Sequence, residues 1–258
     1  MTYIQTIILG LIEGLTEFLP ISSTGHLILA QNVLGVTTTE FTKTFDILIQ
    51  LSAILAVLIL YWKRILSSRK LWIQLIITFL PTGILGLTLY NAVKRYLLNS
   101  TEITTIALFI GGLVLLIVDS LPAQNNGTKK VSHLKLKNLL SIGLFQSFSM
   151  IPGVSRSAAT IVGGMFSGLS RTAAVEFSFL LAIPTMVAAS GYDLIKSGFY
   201  FTGYQIQLLI IGSAFSFLSA IIAVKAFTSF IEKHNFKIFA LYRILLSIII
   251  FFTVIFPF

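Results

Sequence analysis

The chain has 258 residues, of which 56% are hydrophobic and only 10% are charged. Soluble domains carry about 25% charged residues, so the composition excludes a soluble fold and indicates a polytopic membrane protein. The net charge of +9 does not indicate a nucleic-acid partner, because Lys and Arg stand between apolar runs rather than along one amphipathic face. The absence of cysteine excludes disulfides, thiolate catalysis and Cys-ligated metals.

Six apolar stretches are long enough to cross a bilayer, which takes about 20 residues. They lie near 45–62, 71–90, 103–121, 172–195, 205–224 and 238–257. Two further apolar segments, roughly 2–33 and 139–170, are interrupted by Gly, Pro, Ser and charged residues. Irregular backbone survives at membrane depth only where it is buried in protein or lines a wet cavity. We therefore expect both segments to be re-entrant helical hairpins.

The basic residues support this topology when both hairpins return to their own side. One set of connectors then carries Lys63, Arg64, Arg69, Lys70, Lys129, Lys130, Lys135, Lys137, Lys225, Lys233 and Lys237. The opposite connectors carry Lys43, Lys94, Arg95 and Lys196. The richer set marks the cytoplasmic side, so we expect both termini outside, the first hairpin entering from outside and the second from the cytoplasm.

The two halves of the chain share this pattern. Residues 1–121 and 139–258 each contain one hairpin followed by three spans, and the two halves have opposite orientations. We expect a single all-α membrane domain built as an inverted repeat. Such folds place a shared site near the midplane, where the broken segments meet.

The first broken segment contains EGLTEFLPISSTGH, which runs from Glu13 to His26. Glu13 and Glu17 lie four residues apart and share one helix face. No Lys or Arg precedes Lys43, so the two carboxylates repel unless a proton, a divalent cation or a distant basic residue lies beside them. Oxygen ligands favour Mg²⁺ or Ca²⁺. The alternative is an acidic pair at a wetted interface.

Hydroxyl groups follow this acidic pair. Pro20 ends the first helix, and Ser22, Ser23 and Thr24 stand where the next helix begins. Hydroxyls and free N–H groups at a helix N-terminus form a natural anion site. His26 is a candidate general base near neutral pH, or only a polar group that packing satisfies.

The second broken segment contains PGVSRSAAT. The Pro-Gly pair ending at Gly153 stops one helix, and Ser155 is placed to cap the next. Arg156 then holds a planar fork of donors at a helix N-terminus, which matches a pair of phosphate oxygens. Its alternative role is to neutralise an acid of the first segment, and a diphosphate with a metal is compatible with both roles. Five other polar residues in or near the spans are weaker candidates: Asp46, Gln50, Asp119, Glu176 and Asp193.

These two motifs, with TFDILIQLSAILAV after the first and FSFLLAIP after the second, closely resemble the undecaprenyl-diphosphate phosphatase family, also called the bacitracin-resistance family. The resemblance covers nearly the whole chain in order. One departure is visible, since Ala158 stands where the family's SRSGAT has Gly. The resemblance implies a plasma-membrane hydrolase, with its site facing outward, that removes the terminal phosphate of a C55 polyprenyl diphosphate. It also implies dependence on a divalent cation, recycling of the lipid carrier for peptidoglycan synthesis, and resistance to bacitracin.

The resemblance also assigns roles to residues. The catalytic set is Glu17, Ser23, His26 and Arg156; the phosphate-binding set is Ser22, Thr24, Gly153, Ser155, Ser157 and Thr160; the metal ligands are Glu13 and Glu17. As a hypothesis from the chemistry of these groups, Ser23 is the first choice of nucleophile, with His26 as base or proton shuttle. Direct attack by water that Glu17 or His26 activates is the rival. The polyprenyl diphosphate is the partner, nucleic acid is not, and a homodimer is left open.

Two other functional classes remain as alternatives. Inverted repeats with broken hairpins are a transporter architecture, so the site would also suit a flippase of lipid-linked phosphate. The sequence from Ser23 to His26 is superficially similar to the PSGH motif of acid-phosphatase-like lipid phosphatases, but their remaining motifs are missing. A purely structural membrane protein would not need acids, arginine and hydroxyls in broken segments.

Overall fold

The computed structural model describes residues 1–97, 100–120, 130–197 and 201–256, and nearly all of them are helical. In chain order the α-helices are α1 Tyr3–Thr16, α2 Ser23–Val33, α3 Glu40–Ser67, α4 Arg69–Ala92, α5 Thr101–Ser120, α6 Leu136–Ser147, α7 Arg156–Phe166, α8 Arg171–Ser197, α9 Gly203–Ile231 and α10 Lys237–Ile250. Shorter helical turns cover Val93–Leu97, Val131–His133, Phe148–Met150 and Phe251–Ile255. Most of the connector before α6, including Lys129, falls outside the described residues.

Six helices of the described chain are long and apolar enough to cross a membrane, namely α3, α4, α5, α8, α9 and α10. They coincide with the six predicted spans, and the protein is a multi-pass membrane protein. Several of these helices are longer than the predicted spans, because the polar residues that cap them lie outside the apolar runs. Thr39 caps α3 and Thr202 caps α9, each through its side-chain oxygen. The predicted ends at residues 121 and 257 fall outside the described ranges.

Four short helices occupy the two broken segments as consecutive pairs. The first pair has 14 and 11 residues, and the second has 12 and 11. At about 1.5 Å per residue, even α1 is only about 21 Å long. The hydrocarbon core of a bilayer is about 30 Å thick, so none of the four helices can cross it alone.

The two pairs are alike in detail. The spacing along the chain is the same from the start of α1 to the start of α6, from the start of α2 to the start of α7, and from the end of α2 to the end of α7. In each pair a serine with left-handed backbone precedes the second helix, Ser22 with φ 69° and Ser155 with φ 73°. These two are the only non-glycine residues with positive φ in the described ranges. Left-handed backbone is unfavourable for serine, so the surrounding structure must hold both loops in place.

Each pair packs against a long helix of the other half, α1 against α9 and α6 against α4. The backbones nearly touch, because a Cβ on Gly10 would lie 2.5 Å from the carbonyl oxygen of Gly212. Similarly, a Cβ on Gly143 would lie 2.2 Å from the carbonyl oxygen of Thr78. Small residues permit such close approach between membrane helices. The packing brings the loop of one pair beside the loop of the other.

Candidate active site between the two loops

The first loop begins where α1 ends, at Thr16. Glu17 keeps helical backbone angles and donates its N–H to the carbonyl of Glu13 at 2.9 Å, so the two acids share a face as predicted. A turn containing the proline follows, and α2 then begins at Ser23. The side chain of Ser22 caps α2 by accepting from the N–H of Gly25. The predicted helix break and restart are confirmed.

The second loop, residues 151–155, ends at the cap of α7. Ser155 accepts from the N–H of Ala158 at 3.2 Å, and Arg156 is the first residue of the helix. The departure at Ala158 therefore leaves this cap intact. Gly153 has φ +94°, and a Cβ there would lie 2.2 Å from the carbonyl oxygen of Thr104. Only glycine meets both requirements.

A cavity of about 100 Å³ lies between the two loops. It is lined by Glu17, Ser22, Ser23, Thr24, Gln50, Ser149, Pro152, Gly153, Ser155, Arg156 and Met186. The structure thus gathers most of the predicted site residues of both motifs around one space, together with Gln50 from α3. Glu13, His26, Ser157 and Thr160 are not among the lining residues.

Glu17 is the centre of the polar contacts in this cavity. Its Oε1 forms an ion pair with Arg156 Nη2 at 3.2 Å, and the two side chains are only 4% and 8% exposed. Its Oε2 accepts from Ser23 Oγ at 2.6 Å and from Gln50 Nε2 at 3.5 Å. A buried carboxylate needs such compensation. The predicted neutralising contact of Arg156 is therefore present.

Arg156 also contacts residues that do not line the cavity. Its Nη1 donates to the carbonyl of Ser178 at 2.7 Å, and its guanidinium lies 5.8 Å from the centre of the Phe18 ring. Thr160 donates to Ser178 Oγ at 2.6 Å, and Ser157 donates to the carbonyl of Phe18 at 2.7 Å. These two predicted phosphate binders thus support the loops. Arg156 Nε is buried and has no hydrogen-bond partner.

Glu13 lies behind Glu17 and is 1% exposed. Its carboxyl group lies close to that of Glu17, and its Oε1 is buried without a hydrogen-bond partner. Two carboxyl groups in this arrangement need a shared proton or a cation. The described residues contain no group of three or more His, Asp or Glu that could hold a metal ion. A cation here would rely on the two glutamates, nearby hydroxyls and oxygens of a ligand.

His26 lies outside the cavity, although it belongs to the first motif. Its Nδ1 lies 2.8 Å from the carbonyl oxygen of Ser22, and its Nε2 lies 2.7 Å from Tyr242 Oη. The two rings stack with centroids 5.5 Å apart. Both ring nitrogens are therefore engaged, one of them with the strained serine that caps α2.

Sequence reasoning missed Arg243, which is fully buried within α10. Its guanidinium donates to the backbone carbonyls of Pro20, Ala107, Leu108, Gly153 and Val154. It therefore contacts both loops and α5. The available signal was a single arginine inside the last apolar span, since a charge within a membrane span is seldom without a role.

The remaining weaker candidates that the structure describes do not line the cavity. Asp46 accepts from Gln31, Glu176 pairs with Arg64, and Asp119 pairs with Arg171 at 2.9 Å. The side chain of Asp193 falls outside the described residues. Each described acid has a nearby partner, which is typical of a structural role.

The chain is similar to known proteins over nearly its whole length. The family model described as bacitracin resistance protein BacA matches residues 6–249 and so covers both loops. A protein of Aquifex aeolicus named undecaprenyl-diphosphatase is 48% identical over 249 residues, covering 96% of this chain and 97% of that protein. Proteins with the same name from Wolinella succinogenes and Clostridium tetani are 47% and 40% identical, and each alignment covers at least 97% of both chains.

Proposed function

Since this chain belongs to the bacitracin resistance protein BacA family, we propose that it hydrolyses undecaprenyl diphosphate to the monophosphate and inorganic phosphate. The observation that carries this proposal is the buried Glu17–Arg156 pair, joined to the Ser23 hydroxyl, in a cavity where two helices begin. The reaction would return the lipid carrier to envelope-glycan synthesis. It would also confer resistance to bacitracin, which sequesters the lipid diphosphate.

The diphosphate would bind between the starts of α2 and α7. Both helices direct their N-termini and capping serines, Ser22 and Ser155, at the cavity. Helix N-termini attract anions through free N–H groups and the helix dipole. Thr24, Gly153 and the Arg156 side chain, which also line the cavity, would supply further contacts. The cavity suits a phosphate headgroup, so the polyprenyl chain would lie along the apolar outer surface.

A divalent cation, Mg²⁺ or Ca²⁺, fits the donors at this site. Two buried carboxyl groups, Glu13 and Glu17, lie near a single guanidinium, which pairs with Glu17, and Glu13 Oε1 is unpartnered. Oxygen ligands of this kind suit hard cations. When bound, the cation would neutralise charge on the diphosphate and polarise its phosphorus–oxygen bonds. Glu13 and Glu17 would hold it.

The contact between Ser23 and Glu17 favours attack by the serine. Ser23 Oγ would bond to the terminal phosphorus while its proton passes to Glu17 Oε2, which already accepts from it at 2.6 Å. The bond from that phosphorus to the bridging oxygen would break, and polyprenyl monophosphate would leave. Glu17 would give this proton to the bridging oxygen of the departing monophosphate and would then take a proton from water. The water oxygen would bond to the phosphorus of the phosphoserine as the bond to Ser23 Oγ breaks, and Ser23 Oγ would recover its proton from Glu17, which releases inorganic phosphate. Arg156 and the two helix N-termini would stabilise the negative charge throughout.

Direct attack by water activated by Glu17 is the rival mechanism. His26, predicted as base or proton shuttle, would act on the reaction through the Ser22 carbonyl, because its ring does not line the cavity. Phosphate transfer depends mainly on positioning and charge neutralisation, so either nucleophile can use the same site.

The membrane arrangement follows from the same features. The four short helices would form two re-entrant hairpins in an inverted repeat, comprising residues 1–121 and 139–258, with the site facing the outside of the plasma membrane. Their lengths, equal spacings and reciprocal packing support this arrangement. The chain has no cysteine, so single substitutions can be labelled cleanly. A membrane-impermeant maleimide on intact cells should label Thr38→Cys, whereas Ser67→Cys should react only after permeabilisation.

Phosphate release from undecaprenyl diphosphate by detergent-purified protein tests the proposed activity. We expect release that EDTA abolishes and that added Mg²⁺ or Ca²⁺ restores. Full activity in EDTA would show that the reaction does not require a divalent cation. Lipid-diphosphate binding without any phosphate release, together with movement of the lipid between leaflets of vesicles, would instead support the flippase alternative.

A further inference from the structure

Arg243 uses all of its hydrogen-bonding capacity on backbone carbonyls. A guanidinium has five N–H donors. Nε donates to a carbonyl of α5, Nη1 donates to carbonyls of both loops, and Nη2 donates to one carbonyl of α5 and one of the second loop, at distances from 2.9 to 3.3 Å. One side chain thus joins the first loop, the second loop and α5.

The charge of Arg243 has no carboxylate partner within ion-pairing distance in the described parts of the chain. Its burial is therefore compensated by carbonyl dipoles alone. The guanidinium needs the three backbone segments for its hydrogen bonds, and their carbonyl groups need the guanidinium as a donor. Gly111 provides the space for it, because a Cβ there would lie 2.0 Å from Arg243 Nη2. Arg243 is accordingly fully buried, with 0% of its surface exposed.

These contacts fix the orientation of peptide groups beside the cavity. In a planar trans peptide the carbonyl and the next N–H point in opposite directions. The carbonyl of Val154 points toward Arg243, so the N–H of Ser155 points away from it. The carbonyl of Gly153, a cavity-lining residue, is held in the same way. Arg243 thus keeps carbonyl oxygens turned away from the side on which an anion would need donors.

We propose that Arg243 is a positioning residue for the hydrolysis of the diphosphate, an inference that rests on the proposed function. It fixes the first loop, which joins Glu17 to Ser23, against the second loop, which ends next to Arg156. The neighbouring Tyr242 contacts His26, so α10 holds the first motif at two points. Because the two loops come from different halves of the chain, nothing in local sequence sets their separation.

The test compares variants that remove or displace the guanidinium. Arg243→Met removes its charge and donors, Arg243→Lys restores the charge with fewer donors, and Gly111→Ala displaces an unchanged guanidinium. Gly191→Ala is the matched control, because a Cβ there meets nothing within 4 Å. Each protein is checked for monodispersity in detergent, and kcat and KM are then measured for phosphate release per folded molecule.

We expect kcat to fall about a hundredfold in Arg243→Met, since a misplacement of about 1 Å has that effect on a catalytic group. Arg243→Lys should recover part of this loss, Gly111→Ala should lower kcat in the same direction, and Gly191→Ala should stay within about twofold of the parent. A role in stability alone would reduce the yield of folded protein and leave kcat unchanged.

Parental kcat in folded Arg243→Met would overturn the proposal. If that variant does not fold, parental kcat in both Arg243→Lys and Gly111→Ala would overturn it equally. Failure of the parent protein to release phosphate is a separate outcome, which refutes the proposed function before any variant is compared.

Discussion

Substitutions at the ion pair between Glu17 and Arg156 should affect folding stability and catalytic activity differently. Arg156→Met leaves a buried carboxylate without its cation, and Glu17→Gln leaves a buried guanidinium without its anion. Breaking a buried pair in this way costs about 3–5 kcal/mol of folding stability. The cost for Arg156→Met should fall near the lower figure, about 3 kcal/mol, because Ser23 still donates to the carboxyl group and a proton can neutralise it.

The double variant Arg156→Met/Glu17→Gln should recover much of that stability, because no unpaired charge of the pair remains. Activity should not recover. Each single variant should lose at least about 2.7 kcal/mol of transition-state stabilisation, roughly a hundredfold, and the double variant should lose no less. Unfolding in detergent and phosphate release measure the two quantities on the same preparations.

Arg64→Met provides the matched control. Arg64 pairs with Glu176 at a site where the side chains are 41% and 27% exposed. Exposed pairs contribute at most about 1 kcal/mol, and this one lies away from the cavity. Activity within about tenfold of the parent in Arg156→Met would remove Arg156 from the catalytic set. A double variant no more stable than either single one would refute the reasoning about paired burial.

Three further substitutions test the nucleophile, the role of the histidine and the packing of α1 against α9. Ser23→Ala should abolish turnover, and acid-quenched parent protein should contain phosphoserine at Ser23; near-parental turnover in the variant would leave water as the nucleophile. His26→Asn keeps an amide that can donate to the Ser22 carbonyl, so it should retain more activity than His26→Ala. Its activity should depend on pH in the same way as that of the parent protein. Loss of the acidic limb of the pH profile in this variant would instead identify His26 as the base. Gly14→Val should destabilise the fold by about 1–3 kcal/mol, because its Cβ would lie 2.1 Å from a carbonyl oxygen of α9. An unchanged free energy of unfolding would contradict that packing. Gly203→Ala is the control, because a Cβ there meets nothing within 4 Å.

The spans and helix breaks could be read from local sequence. Apolar runs set the six long helices, and Pro20 in the first motif and Pro152-Gly153 in the second mark the breaks between the short helices of each pair. Ser22 and Ser155 were placed at helix starts because side-chain oxygens cap helices wherever they occur. These features depend on residues close together in the chain.

The contacts of the site depend on the fold and were harder to predict. The pairing of Arg156 with an acid was one of two roles left open, and it requires two loops from opposite halves to meet. The positions of His26 and Thr160 outside the cavity follow from the rotation of short helices, which the motif spacing does not specify. Arg243 acts through backbone carbonyls, and backbone carbonyls carry no signature in the amino-acid sequence.

The most direct test of the central claim is phosphate release from undecaprenyl diphosphate by purified parent protein beside Glu17→Gln and Arg64→Met. We predict metal-dependent release by the parent and by Arg64→Met, and at least about a hundredfold less from Glu17→Gln, since a group that contacts the reacting atoms contributes at least that much. Equal release by all three proteins would contradict an active site built on Glu17 between the two loops.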